Sequence, residues 1–263
     1  MTVPLFWVDA FTDTAFRGNP AAICLLDAPA DETWMQQLAF ELGLAETAYL
    51  VPRGGSEYDL RWFTPTVEIP LCGHATLASA HTLFETGRES GPITFHTMSG
   101  PLTCTRVGDR IEMDFPAVAP EPIDPTPGLL EALGVTDPIA VLDNRKWFIV
   151  EVATTAEVEA LTPDLPRLAT IGSGGASVTA RSDRDGVDIV SRVFGPGVGV
   201  DEDSVTGSVH CALTPYWCER LGKSELVAYQ ASARGGTLHC RLDGDRVFLA
   251  GPAVTVLRGE VDG

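Results

Sequence analysis

Four short stretches of this 263-residue chain carry groups able to move a proton or hold an anion. Glu46 stands in Leu44-Ala45-Glu46-Thr47-Ala48, at the start of an expected strand. A carboxylate among apolar neighbours there is placed to act as an acid or base, whereas most glutamates are only solvated. His74 follows Cys72 and Gly73 at an expected helix start. An imidazole titrates near about 6.5, which suits a proton shuttle or a hydrogen-bond donor. A thiol at a helix N-terminus becomes more acidic, while a lone buried cysteine is more often inert. Asp201, Glu202 and Asp203 precede Thr206-Gly207-Ser208. Such a run either matches the positive end of a helix dipole or contributes one acid to proton transfer.

The two glycines bear on anion binding. Helix N-termini present unbonded N–H groups and a partial positive charge. Gly73–His74 and Gly207–Ser208 let a ligand approach the backbone closely, and two such ends would hold a carboxylate without a lysine. Two ordinary helix starts, the second capped by Thr206 or Ser208, are the competing reading, and the residues alone leave both standing.

Other signals are weak. Gly195-Pro-Gly197-Val-Gly199 contains a proline and lacks a lysine, so it is a poor phosphate loop. His210, Cys211 and Cys218 lack metal-ligand spacing and read as residues of a core helix. No Gly-x-Ser-x-Gly elbow and no Cys-x-x-Cys pair occurs. No metal is expected.

The elements that must position these residues are short strands with few helices. Strands are expected over residues 5–10, 21–26, 47–51, 59–64, 92–98, 102–107 and 110–115. Helices are expected from Asp31 as cap to about Leu42, and over 74–85. Residues 116–127 hold five prolines and read as a linker. Beyond it come expected strands 147–152, 175–180 and 187–194, a helix over 208–221, and strands 226–231, 237–242, 246–250 and 253–258.

A repeat emerges from this order. Phe63-Thr-Pro65, Cys72-Gly73-His74 and a helix closing at Gly87 are followed by Phe194-Gly-Pro196, Thr206-Gly207-Ser208 and a helix closing at Gly222. The glycine-to-glycine spacing is 14 residues in the first case and 15 in the second. Both helices are apolar on most sides, as buried helices are. The expectation is an α+β fold of two pseudo-symmetric lobes, each a mixed sheet or barrel wrapped around a central helix. The lobes are residues 1–118 and 119–263, with the last strand, about 252–263, able to return to the first.

Composition limits the partners. The formal charge is −18, which repels nucleic acids and anionic lipid surfaces, so neither is expected. The six cysteines read as free thiols of a reducing cytoplasm, since residues 1–11 have no long apolar run and no stretch approaches the roughly 20 apolar residues of a membrane span.

Five stretches resemble the PhzF, or phenazine biosynthesis-like, isomerase family, in order and over nearly the whole chain. They are Phe16-Arg-Gly-Asn19-Pro20-Ala-Ala, Glu46-Thr47-Ala, Arg61-Trp-Phe63-Thr-Pro65, Leu71-Cys-Gly-His74-Ala-Thr76 and Asp201-Glu-Asp203-Ser-Val-Thr206-Gly-Ser208. The resemblance implies the diaminopimelate epimerase-like fold, an active site between the two lobes, a homodimer, and a cofactor-independent isomerase acting on a small carboxylate. It implies proton transfer by Glu46, positioning or relay by His74, Asp203 and Ser208, and backbone N–H groups from Gly73 and Gly207, with Cys72 beside the substrate. Ser204 stands where the family often has proline. Epimerases and racemases of this fold use two cysteines, one before each central helix. Cys72 matches the first, but Ser204 or Thr206 stands in place of the second. An amino-acid epimerase using Cys72 with another base, and a non-catalytic metabolite-binding protein, remain the alternatives.

Overall fold

Alternating burial makes the strands and near-continuous burial makes the central helices. The computed structural model describes residues 2–172 and 174–262. In chain order the elements begin with β1 (Thr2–Ala10), β2 (Asn19–Leu25), α1 (Glu32–Leu42), β3 (Glu46–Gly54), β4 (Glu57–Phe63), β5 (Glu68–Ile69), α2 (Gly73–Glu85), β6 (Ile93–Thr97), β7 (Gly100–Val107) and β8 (Arg110–Pro116). There follow β9 (Glu121–Pro122), α3 (Leu129–Leu133), β10 (Ala140–Asp143), β11 (Phe148–Glu151), α4 (Thr155–Glu159), α5 (Leu165–Leu168), β12 (Ala176–Arg181) and β13 (Ile189–Gly195). After a 3-10 turn at Pro196–Val198 come β14 (Val200–Asp203), α6 (Gly207–Leu221), β15 (Glu225–Gln230), β16 (Gly236–Asp243), β17 (Arg246–Gly251) and β18 (Ala253–Asp262). The chain divides into two compact units, residues 1–115 with 250–263, and residues 116–249. The sequence boundary stood at 118/119, and the last strand packs in the first unit.

In the first unit β1 pairs antiparallel with β18 and β2, and β2 runs parallel to β3. β4 is antiparallel to β3 and β5 and parallel to β6, which continues antiparallel into β7 and β8. The second unit repeats these pairings. β10 is antiparallel to β9 and β11, β11 is parallel to β12, and β12 is antiparallel to β13. β13 is antiparallel to β14 and parallel to β15, which turns into antiparallel β16. This is a mixed sheet with few helices, the α+β architecture expected from the repeat.

The central helices are buried because they are apolar nearly all round. Ten residues of α2 are buried, Ala75, Leu77, Ala78 and Leu83 among them, and the helix packs on β1, β2, β3 and β18. In α6 nine residues are buried, and the helix packs on β15 and β16. Each fully buried leucine or valine stabilises by about 1.5–3 kcal/mol of apolar transfer. At the edge of the first unit, α1 begins where Asp31 accepts hydrogen bonds from the N–H groups of Thr33 (2.9 Å) and Trp34 (3.2 Å). It stops at Gly43, in the left-handed conformation at φ 63°.

The proline-rich stretch 116–127 is not a free linker. Ala117 N–H donates to the Asp245 carbonyl (2.8 Å) and Val118 N–H to that of Cys211 (3.1 Å). β9 then pairs with β10. Proline removes a donor but leaves the carbonyls and the neighbouring N–H groups able to dock as an edge strap. α3, α4 and α5, of five, five and four residues, lie where no element was expected. Helices of one turn carry too little periodicity to be read from sequence.

Candidate active site

The N-terminus of α2 gathers three of the first unit's candidate groups. Glu46 opens β3, and Asn19 opens the parallel neighbour β2, in which Ala21 lies opposite Glu46. His74 is the second residue of α2 and is 5% exposed. Asn19 Nδ2 lies 3.1 Å from His74 Nδ1. With the amide nitrogen in that place, Nδ1 accepts and the neutral ring carries its proton on Nε2. Nε2 is 3.0 Å from Glu46 Oε2. The carboxylate oxygen lies off the N–H direction, so the two groups touch as charges while Oε2 is buried with no aligned hydrogen-bond donor among the described residues. Cys72 Sγ sits 3.5 Å from Nδ1.

These neighbours set one another's protonation. Burial works against a charged His74, but the negative groups of Cys72 and Glu46 outweigh it and hold the imidazole well above its ordinary value. Burial pushes the Cys72 thiol up, the Glu46 charge pushes it further, and His74 pulls it back only in part. The arrangement is a part-buried carboxylate at ion-pair distance from a buried imidazole, with the facing carboxylate oxygen lacking an aligned donor. Glu46, Cys72 and His74 also bring donor atoms within 4.8 Å of one another, close enough to share an ion. The sulfur would first have to lose a proton that burial makes costly.

In the second unit, Asp203 closes β14 and Thr206 is the N-cap position of α6. Thr206 does not cap the helix. Its hydroxyl donates to Asp203 Oδ2 (2.6 Å). Trp147 Nε1 donates to Ser208 Oγ (3.3 Å). The neighbouring acids are engaged elsewhere or solvated. Glu202 takes the Arg192 guanidinium on both oxygens (2.7 and 3.0 Å), and Asp201 is exposed. The three acids thus form a strand rather than a helix-dipole cluster. Neither central helix has a side-chain cap, so the local-capping reading of Thr206 and Ser208 does not hold, and the first N–H groups at Gly73–His74 and Gly207–Ser208 are left to other acceptors.

The two units correspond at the positions around these groups. Phe63 lies opposite Thr47, and Phe194 opposite Ala176. Counting back one residue, Glu46 corresponds to Gly175, while Cys72, Gly73 and His74 correspond to Thr206, Gly207 and Ser208. Arg61 pairs with Glu68 and lies over the Phe63 ring; Arg192 pairs with Glu202 and lies over Phe194. Gly175 has φ 144°, and a Cβ there would meet the Phe194 carbonyl oxygen at 2.1 Å. No side chain can stand at that place, so the acid–imidazole pair exists in one unit only. Of the partners found here, Asn19 belonged to a quoted motif without a role, and Trp147 carried no sequence signal.

The comparisons with known proteins agree with this architecture. Residues 8–259 match the PhzC–PhzF family, described as phenazine biosynthesis-like protein. An uncharacterized isomerase of Halalkalibacterium halodurans is 50% identical, with 99% of each chain covered. A crystal structure of a PhzF-family protein from Enterococcus faecalis is 40% identical and superposes with a TM-score of 0.95 over 100% of both chains. A protein of Pseudomonas aeruginosa named as a predicted epimerase shares the fold, with a TM-score of 0.77 at 22% identity over 98% of this chain and 99% of its own. With its repeated mixed sheets, its helix-end groups and this match over nearly its full length, the chain belongs to the PhzF, phenazine biosynthesis-like family, and it is an isomerase.

Proposed function

We propose that the protein shifts a proton, and with it a double bond, on a small carboxylate-bearing metabolite without a cofactor, and that Glu46 is the acid and base. One observation carries the reading: a part-buried carboxylate against a buried imidazole, with the buried Glu46 Oε2 lacking an aligned donor. An oxygen so placed can take a proton from carbon and return it, while His74 compensates the change in charge. Water would otherwise satisfy it at little cost, and leaving it bare disfavours the folded state. The uncapped helix starts at Gly73–His74 and Gly207–Ser208 support a carboxylate ligand in a chain of charge −18, which has few cations to spare. Asp203 and Ser208 are proposed to position the substrate or relay protons.

A racemase of two matched bases is less well supported. The second unit has Gly175, Thr206 and Ser208 where the first has Glu46, Cys72 and His74, and the Cys72 thiol is pushed up rather than down. A homodimer in the cytoplasm is part of the same proposal; the six unpaired, buried thiols fit a reducing compartment. No helix among the described residues is long and apolar enough to cross a membrane.

The test is turnover of a panel of cyclic and amino carboxylic acids, including 2,3-dihydro-3-hydroxyanthranilate, by the wild type, Glu46→Gln and Cys72→Ser. The proposal expects Glu46→Gln to bind, as seen by ligand-induced stabilisation, but not to turn over, and Cys72→Ser to remain active. Loss of activity in Cys72→Ser alone would hand the chemistry to the thiol.

A further inference from the structure

The turn between β14 and α6 is held by two side chains from the far end of β15. Ser232 Oγ donates to the Ser204 carbonyl (2.8 Å). Gln230, the last residue of β15, is fully buried and uses both ends of its amide. Its Oε1 accepts from Thr206 N–H (2.8 Å), and its Nε2 donates to the Asp203 carbonyl (2.7 Å) and to Thr206 Oγ1 (3.2 Å). Thr206 Oγ1 passes the chain on, donating to Asp203 Oδ2 (2.6 Å).

The direction of this chain is fixed by chemistry. A hydroxyl has one proton and two lone pairs. Because the Gln230 amide fills one lone pair as a donor, the Thr206 proton is directed at the carboxylate, the acceptor-only partner. The amide therefore sets the backbone of 203–206 and also the hydrogen bond that orients the Asp203 carboxylate.

The internal repeat separates this role from simple bracing. In the first unit Ser99 Oγ donates to the Pro70 carbonyl (2.8 Å). Ser99 and Ser232 each lie two residues beyond their strand, and Pro70 and Ser204 each lie three residues before their helix glycine. The serine brace is thus common to both units. The position matching Gln230 is Thr97, whose hydroxyl donates within its own hairpin to the Gly100 carbonyl (2.7 Å). The amide is built only under the turn that bears Asp203.

We propose that Gln230 is a positioning residue for Asp203, acting through the Thr206 hydroxyl; its bearing on catalysis rests on the proposed role of Asp203. The experiment reads the coupling without substrate. The Gln230 side-chain amide resonances are followed by ¹⁵N NMR through an acid titration of the intact protein, in the wild type, Asp203→Asn, Thr206→Val, Thr206→Ala and Thr206→Ser. We expect a titration step at Gln230 Nε2 in the wild type, lost in Asp203→Asn, lost in whichever of Thr206→Val and Thr206→Ala folds, and restored in Thr206→Ser. A role confined to bracing would not follow the protonation of Asp203. Absence of the step in the wild type, or its persistence without the Thr206 hydroxyl, overturns the proposal. A coupled step together with full turnover by Asp203→Asn would instead keep the positioning and remove Asp203 from the reaction.

Discussion

His210 gives a stability prediction whose size follows from its surroundings. It lies one turn into α6 and is fully buried. Nδ1 is 2.8 Å from the Thr206 carbonyl, so this nitrogen is the donor, and Nε2 has no hydrogen-bond partner among the described residues. Protonation would place a charge in the core with nothing to receive its second N–H. Burial accordingly pushes the imidazole down to about 4 from its ordinary 6.5, the Thr206 carbonyl offsetting only part of this. The unfolded chain binds a proton below about pH 6.5 and the folded chain does not until about pH 4, so stability falls as pH is lowered through that window. Between pH 7 and pH 5 this one group removes about 2 kcal/mol. The assay is urea unfolding at pH 7, 6 and 5, followed by tryptophan fluorescence, for the wild type and His210→Asn. The substitution lowers stability at every pH by leaving space in the core, but it should flatten the pH slope by about 2 kcal/mol across the range. His74, whose folded value is raised, acts with the opposite sign and is common to both proteins. An unchanged slope would refute the argument.

Four further outcomes are expected. Arg192→Met strands Glu202, whose side chain is 24% exposed, and frees the Leu161 and Glu159 carbonyls, so unfolding should be easier by about 2–3 kcal/mol, below the full cost of a wholly buried pair. Removing the exposed Arg184–Glu159 pair should change stability by less than about 1 kcal/mol in the same urea assay. Cys72, buried and with its thiol pushed up, should react with iodoacetamide at pH 7 far more slowly in the folded than in the unfolded protein, as read by mass spectrometry; rapid native labelling would contradict the site's description. Gly175→Ala puts a Cβ 2.1 Å from a carbonyl oxygen at positive φ and should lose soluble, folded protein, as checked by circular dichroism.

The repeat was legible in sequence because it is written in residues with strong local preferences: glycine before each central helix, Phe-x-Pro after a strand, and apolar residues all round each helix. Cys72 and His74 lie 26 and 28 residues beyond Glu46, and their meeting depends on the packing of α2 against β2 and β3, which no local pattern encodes. Asn19 and Gln230 illustrate the remainder. Each is a neutral amide at a strand end, and in sequence such a residue looks like ordinary turn chemistry. Its importance comes from burial and from the partner that folding brings to it. The proline-rich strap misled for a related reason: prolines announce the loss of donors, and they say nothing of carbonyls and neighbouring N–H groups that dock on a unit's edge. The one-turn helices α3 to α5 left no periodic signal at all.

The central claim is that Glu46 moves the proton. The most direct measurement is deuterium uptake from D₂O by the carboxylic acid panel, followed by NMR at each carbon. The account predicts enzyme-dependent exchange or isomerisation at a single carbon, lost by a factor of at least about 100 in Glu46→Gln while ligand binding survives. Exchange at full rate in a folded Glu46→Gln would contradict it.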